Sequence, residues 1–148
     1  MLILTFNKCI SMRNPFHLAI PVNDLAKAAD FYENILGCDR GRESDSWIDF
    51  NLFGHQLVCH HVKESNIKNI NSVDGDAVPV PHFGVILDFD QFDSLADKLR
   101  SKKQSFIIEP KIRFAGMPGE QRTMFLQDPC GNALEFKAFK SLNSIFVS

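Results

Sequence analysis

Two histidines and one glutamate in this sequence are of the residue types that bind divalent metals and transfer protons. His17 heads the apolar alternation "PFHLAIPV", His82 heads the similar phrase "PHFGVILD", and Glu135 lies in "ALEF" near the end of the chain. Two neutral imidazoles and one carboxylate on one face of a metal form a facial triad, which leaves three adjacent positions open for a chelating substrate and dioxygen. The alternative is that each is an ordinary strand residue, as a lone histidine at a strand end usually is.

The two histidine phrases open two copies of one pattern. When His17 is aligned with His82, 65 residues later, the apolar positions of both phrases also align. Both phrases alternate as half-buried strands, and each is followed by a helix signal with Asp24 or Asp90 as the predicted N-cap. In the first copy, the stretch "DRGRESDSWIDFNLFGHQLVCHH" then gives a short strand followed by the strand patterns "WIDFNL" and "HQLVCHH". In the second copy the strand patterns are "SFIIEPKIRF", "TMFLQ" and "ALEFKAF". Both copies therefore predict the order β-α-β-β-β.

This order predicts an α+β fold in which two tandem β-α-β-β-β modules form an open, cup-shaped sheet of eight strands. Because side chains alternate between the faces of a strand, His17, His82 and Glu135 are predicted on the face opposite the helices, aimed at one concavity. The predicted boundaries are an N-terminal extension (1–15), the first module (16–63), a linker (64–81), the second module (82–139) and a C-terminal tail (140–148).

Composition favours a small-molecule partner. The chain has 148 residues, 45% of them hydrophobic, which is enough for a full core. A formal net charge of -2 and the lack of a dense Lys/Arg run disfavour nucleic acid or an anionic membrane as partner. Four scattered cysteines without metal-knuckle spacing predict reduced thiols and a cytoplasmic location. The first residues do not resemble a signal peptide, and Met12 is an alternative start.

The duplicated modules, the His, His, Glu set and the string "FLQDPCGNALEF" resemble the vicinal oxygen chelate superfamily. This superfamily includes glyoxalase I, extradiol catechol dioxygenases, fosfomycin-resistance enzymes and bleomycin-resistance proteins. The resemblance covers roughly residues 16–139. It implies a divalent metal held by His17, His82 and Glu135. Within the superfamily the sequence most resembles the extradiol dioxygenase-like branch. That resemblance implies a ring-cleavage dioxygenase that binds a vicinal-oxygen aromatic substrate and O2 at Fe(II), with Mn, Zn, Ni or Co as alternative metals.

The same branch implies an oxidoreductase with His60 as its acid–base residue, because that histidine lies between the two predicted ligand histidines in sequence. Arg113 and Arg122 flank the loop "AGMPGEQ" and are predicted to bind an anionic group of the substrate. Glyoxalase I has a further carboxylate ligand on its fourth strand, and the matching position here is Val58, which weakens that assignment. Extradiol enzymes commonly place a tyrosine ahead of the last strand, whereas the one tyrosine here is Tyr32.

Two alternatives to the dioxygenase stay open. One is a non-oxidative metal-dependent isomerase, lyase or transferase of the same fold. The other is a metal-free protein of the bleomycin-resistance type that binds a ligand between the modules. The modules either complete one cup within a chain or exchange between chains. We also expect a homodimer, because sheets of this kind often associate edge to edge.

Overall fold

The computed structural model describes residues 14–64 and 69–147. These ranges confirm the predicted α+β class. The helices are α1 (Leu25–Asp30), which continues as a π-helical stretch (Phe31–Ile35), α2 (Phe89–Ser101) and a short 3-10 turn (Leu142–Ser144). The strands are β1 (His17–Val22), β2 (Asp39–Glu43), β3 (Trp47–Leu52), β4 (His55–His61), β5 (Asn69–Val73), β6 (Asp76–Val80), β7 (His82–Phe83), β8 (Ile86–Leu87), β9 (Phe106–Arg113), β10 (Gln121–Gln127) and β11 (Ala133–Ala138).

The first module forms a four-stranded sheet in the order β1-β4-β3-β2, with β1 parallel to β4. Asp24 caps α1 as predicted, since its carboxylate accepts a hydrogen bond from the backbone N–H of Lys27. Gly37 follows the helical segment with a φ of 80°, a conformation that glycine adopts without strain. The apolar side chains of β1 face α1, so His17 faces away from the helix.

The second module forms a sheet in the order β7-β11-β10-β9, with β8 also paired to β11. The predicted N-cap Asp90 is wrong, because α2 begins at Phe89 with Asp88 as its cap. Asp88 accepts from the backbone N–H of Gln91, and the Gln91 side chain accepts from the backbone N–H of Asp88, which completes a capping box.

The strand predicted to begin at His82 is interrupted at Gly84, and the two short strands β7 and β8 both run parallel to β11. A Cβ at Gly84 would lie 1.6 Å from the carbonyl oxygen of Glu135. Only glycine therefore allows this close approach of the two backbones.

The predicted single sheet of eight strands is not confirmed in the described part of the chain, where the modules form two separate hydrogen-bonded sheets. The segment predicted as a linker also contains a hairpin of β5 and β6. Its turn residues Asp74 and Gly75 both have positive φ, the conformation that a two-residue Asp-Gly hairpin turn requires. Val78 of this hairpin is buried against Ile108 and Phe125, so the hairpin covers part of the second sheet.

One apolar core joins the helix-facing sides of both modules. Tyr32 of the first module is fully buried and donates a hydrogen bond to Asp128 of the second, at 2.9 Å. Asn132 donates to the carbonyl oxygen of Pro21 at 2.9 Å, which ties the turn before β11 to β1. Cys38 is buried, which raises the pKa of its thiol to about 11, so it is held as a neutral thiol. No helix in the described ranges is long and apolar enough to span a membrane.

Candidate metal centre

His82 and Glu135 lie in contact on the open face of the second sheet. Their Nε2 and Oε2 atoms are 3.0 Å apart. On the other side of the ring, His82 Nδ1 lies 2.6 Å from the carbonyl oxygen of Pro79, and because a carbonyl oxygen only accepts, Nδ1 donates. The hydrogen bond with Glu135 is the main cause of the raised pKa of His82, and burial opposes it. The ring is therefore oriented with Nε2 toward the carboxylate.

The carboxylate of Glu135 is buried and held in its ionised form. Burial raises its pKa, but hydrogen bonds from His82 and Thr123 outweigh this effect and leave the pKa below its ordinary value. Thr123 Oγ1 donates to Oε1 at 2.7 Å. Lys137 Nζ and Arg113 Nη1 lie 3.7 and 3.8 Å from the same oxygen. Glu135 thus has the negative charge and the fixed orientation that a metal ligand needs.

His17 lies on the open face of the first sheet, where it is exposed. Its Nδ1 is 2.8 Å from Gln56 Oε1, and Gln56 Nε2 is 3.1 Å from Asp49 Oδ2. Within residues 14–64 and 69–147, no three His, Cys, Asp or Glu side chains meet closely enough to hold an ion. A single chain therefore brings His82 and Glu135 together and leaves His17 apart from them.

His60, the predicted acid–base residue, lies on the same open face as His17. It is on the neighbouring strand β4, near the end of that strand that is distant from His17. It pairs with Pro21 of β1, four residues beyond the pairing of His17 with Gln56. Four strand residues span about 13 Å. The exposed imidazole of His60 is therefore far along the strand from His17.

The two predicted substrate arginines lie on opposite faces of the second sheet. Arg113 is only 3% exposed, and it binds Asp76 of the hairpin at 2.9 Å while it faces Glu135. Arg122 lies on the helix side: its Nη1 is 2.6 Å from Asp93, and its guanidinium lies 4.0 Å from the ring centroid of Phe89. Only Arg113 is thus beside the candidate ligand.

The family model described as Glyoxalase/Bleomycin resistance protein/Dioxygenase superfamily matches residues 15–136. The chain belongs to this superfamily. Metallothiol transferase FosB of Lysinibacillus sphaericus (strain C3-41) is 27% identical over 120 residues, which are 81% of this chain and 78% of that protein.

Two solved structures show the fold of the superfamily. A glyoxalase/bleomycin resistance protein/dioxygenase from Alicyclobacillus acidocaldarius is 34% identical, with a TM-score of 0.74 and coverage of 93% of this chain and 98% of that chain. Fosfomycin resistance protein FosX from Listeria monocytogenes is 16% identical, with a TM-score of 0.66 and coverage of 90% and 98%. The second similarity concerns the fold alone.

Sequence reasoning about the superfamily triad missed four polar residues around it. Thr123 and Lys137 lie beside Glu135, Gln56 lies beside His17, and Asp49 contacts Gln56. A signal for Gln56 was present, because once β1 and β4 are paired in parallel it falls directly opposite His17. The contacts that Thr123 and Asp49 make with residues of neighbouring strands could be predicted only if the register of the antiparallel strands were known.

A cavity of about 480 Å³ lies on the Pro79 side of the His82 ring. It is enclosed by β1, the ends of the β5–β6 hairpin and the turn before β11, and most of its walls are apolar. Its volume is within the range of small-molecule pockets. The candidate metal ligand His82 is therefore flanked by Glu135 on one side and by an apolar cavity on the other.

Proposed function

We propose that the protein is a metal-dependent enzyme that acts as a homodimer, in which His82 and Glu135 of one copy and His17 of a second copy bind one divalent ion. The observation that carries this proposal is the 3.0 Å contact of His82 with the buried, ionised Glu135. The separate location of His17 supports a second copy as the source of the third ligand. In a symmetric dimer each copy would supply its His17 to the site of the other copy, so two equal sites would form.

The donor atoms suit a divalent ion of the first transition row. Two imidazoles and one carboxylate accommodate Fe, Mn, Co, Ni or Zn. The chain prepares these donors: Pro79 holds the Nδ1 side of His82, and Thr123 holds one oxygen of Glu135. When bound, the ion would supply Lewis acidity to oxygen atoms of a chelating substrate.

As the first candidate reaction we propose a non-oxidative transfer or addition on a small anionic substrate. Lys137 is partly exposed beside Glu135, and its positive charge favours an anionic ligand. Tyr32, the one tyrosine of the chain, donates to Asp128 inside the core and so has no place beside the site. The relative FosB is named a metallothiol transferase.

The second candidate is the extradiol-type dioxygenase with Fe(II), favoured by the two-histidine, one-carboxylate donor set. It assigns proton transfer to His60 and substrate binding to Arg113. Arg122, which contacts α2, has a place in substrate binding only if the anionic group approaches from the helix side of the sheet.

Metal analysis with two activity assays distinguishes these candidates. Protein purified without added metal and then loaded anaerobically with Fe(II), Mn(II) or Zn(II) is assayed for oxygen uptake with catechols and for thiol consumption with fosfomycin. The transferase proposal predicts thiol consumption without oxygen uptake. Oxygen uptake that disappears in His60→Ala would support the dioxygenase instead. Absence of stoichiometric metal in folded protein would refute both.

A mixing experiment tests the shared site. His17→Ala and Glu135→Ala proteins are each expected to be inactive, with His61→Ala as the matched control on the other face of β4. After random subunit exchange, half of the dimers are mixed and each of these has one intact site, so about one quarter of wild-type activity and metal binding should return. No recovery after proven exchange would refute the shared site.

A further inference from the structure

The polar contacts of His17 form a short chain across three strands. His17 is on β1, its partner Gln56 is on β4, and Asp49, the partner of Gln56, is on β3. Asp49 is 7% exposed, so its carboxylate has little access to water. The guanidinium of Arg42 lies near the carboxylate of Asp49, with Nε 3.7 Å from Oδ2, but the Arg42 side chain is mostly exposed.

The chemistry of these three groups determines the direction of each hydrogen bond. An ionised carboxylate only accepts, so the amide nitrogen of Gln56 must face Asp49. The amide oxygen of Gln56 then faces His17, and because an oxygen of this kind also only accepts, the proton of the neutral imidazole must be on Nδ1. Nε2 of His17 is left with its lone pair, which is the atom and the form that binds a metal.

The two histidines differ in how their Nδ1 atoms are held. His82 donates to the backbone carbonyl of Pro79, which no side-chain substitution removes. His17 depends entirely on the side chains of Gln56 and Asp49. We infer that Gln56 and Asp49 are positioning residues that hold His17 in its Nδ1-protonated tautomer, an inference that rests on the metal site proposed above. Asp49 acts without touching the histidine, by orienting the amide.

The tautomer can be observed directly in metal-free protein. Long-range ¹H–¹⁵N correlation spectra of the imidazoles, recorded where both rings are neutral and assigned with His17→Gln, report which nitrogen carries the proton. We expect His17 to be protonated on Nδ1 in the wild type and to become a mixture of tautomers in Gln56→Met. The signals of His82 should not change in that variant. Gln104→Met, in the loop after α2, is the matched control.

A double substitution that exchanges the positions of the carboxylate and the amide distinguishes a role in orienting His17 from a role in packing alone. In Asp49→Asn the amide of Gln56 can rotate, so the tautomer of His17 should again be mixed. In the double variant Asp49→Asn, Gln56→Glu, the new carboxylate accepts from His17 and the new amide donates to that carboxylate, which should restore the Nδ1-protonated form. Titration with Mn(II) should show about 10-fold weaker binding for Gln56→Met and Asp49→Asn than for the double variant.

The outcomes distinguish this inference from the proposed function. A wild-type His17 protonated on Nε2, or a tautomer that Gln56→Met and Asp49→Asn leave unchanged in folded protein, overturns the inference even if metal binds. Tautomer changes as expected, in a protein that binds no Mn(II) or other divalent ion, uphold the hydrogen-bond chain and overturn the metal site. Failure of the double variant to restore the tautomer would overturn the role of Asp49.

Discussion

Replacement of Gly84 by alanine is expected to separate β7 and β8 from β11 and so to disrupt the contact of His82 with Glu135. The new Cβ would lie 1.6 Å from the carbonyl oxygen of Glu135 and 2.6 Å from its carbonyl carbon. A normal carbon–oxygen contact is about 3.3 Å, so the two backbones must move apart by about 1.7 Å. Both of these clashing atoms belong to the backbone of a central strand, so no side-chain rotation can relieve the clash.

The cost of this movement follows from the ladder that Gly84 interrupts. β7 pairs with β11 at two positions and β8 pairs with it at two more, so a shift of this size should break two or three backbone hydrogen bonds. At about 1 kcal/mol each, the loss is about 2–3 kcal/mol. For a chain of this length that corresponds to a fall in Tm of about 4–12 °C.

Thermal unfolding of Gly84→Ala measures this loss, and the pKa of His82, followed by NMR, measures the loss of its contact with Glu135. We expect the raised pKa of His82 to move back toward its ordinary value. Gly119→Ala is the matched control, because a Cβ there meets nothing within 4 Å and the φ of Gly119 is not positive. A Gly84→Ala protein with the Tm of the wild type and an unchanged His82 pKa would refute the reasoning.

Three further predictions concern groups in or near the two sheets. Tyr32→Phe removes the hydrogen bond to buried Asp128 and should cost about 2 kcal/mol in denaturant unfolding, since that carboxylate loses a donor. The pKa of His82 is raised chiefly by its hydrogen bond with Glu135. The contribution of protonated His82 to the free energy of unfolding is therefore fully present below pH ~6.5 and is lost as pH rises through the raised pKa. The Tm of metal-free protein should therefore fall over that range, and a His82→Gln variant that falls equally would contradict this. Arg113→Met removes one of two ion pairs of Asp76 in the hairpin, since Lys111 Nζ also lies 2.7 Å from the same carboxylate oxygen, and should cost about 1.5 kcal/mol. Hydrogen exchange in β5 and β6 should become faster, and unchanged exchange would count against the hairpin being held this way.

Much of the fold could be predicted because each module repeats a pattern with one physical meaning. Period-two alternation after His17 and His82, followed by helix signals, was sufficient to predict the α+β class. The β5–β6 hairpin was missed although Asp74 and Gly75 are a strong turn signal, because the prolines that follow led the whole segment to be interpreted as a linker. The division of the strand at Gly84 depends on a backbone approach that composition alone does not reveal.

Strand parity also predicted which side chains share a face of the sheet. In the structure His82 and Glu135 share a face and are in contact. Parity says nothing about distance along a strand or between sheets, which is why His60 and His17 lie farther from the pair than the prediction of one concavity implies. Arg122 was grouped with Arg113 because both flank one loop. The register of antiparallel strands determines which residues are neighbours and which face of the sheet each side chain is on. This register places Arg122 against α2.

The two modules do not carry the same residues at matching positions. The strand registers make Val58 the counterpart of Glu135, because each lies two residues beyond the partner of its module's histidine. In the metal site proposed above, one module of each kind would offer two imidazoles and one carboxylate, whereas a second carboxylate would bring the protein donors to four. Three protein donors leave more of an octahedral ion open to a substrate that binds through two oxygens. If the proposed site forms, the apolar side chain of Val58 would therefore bear on the reaction as directly as the ligands, because it would leave those positions open.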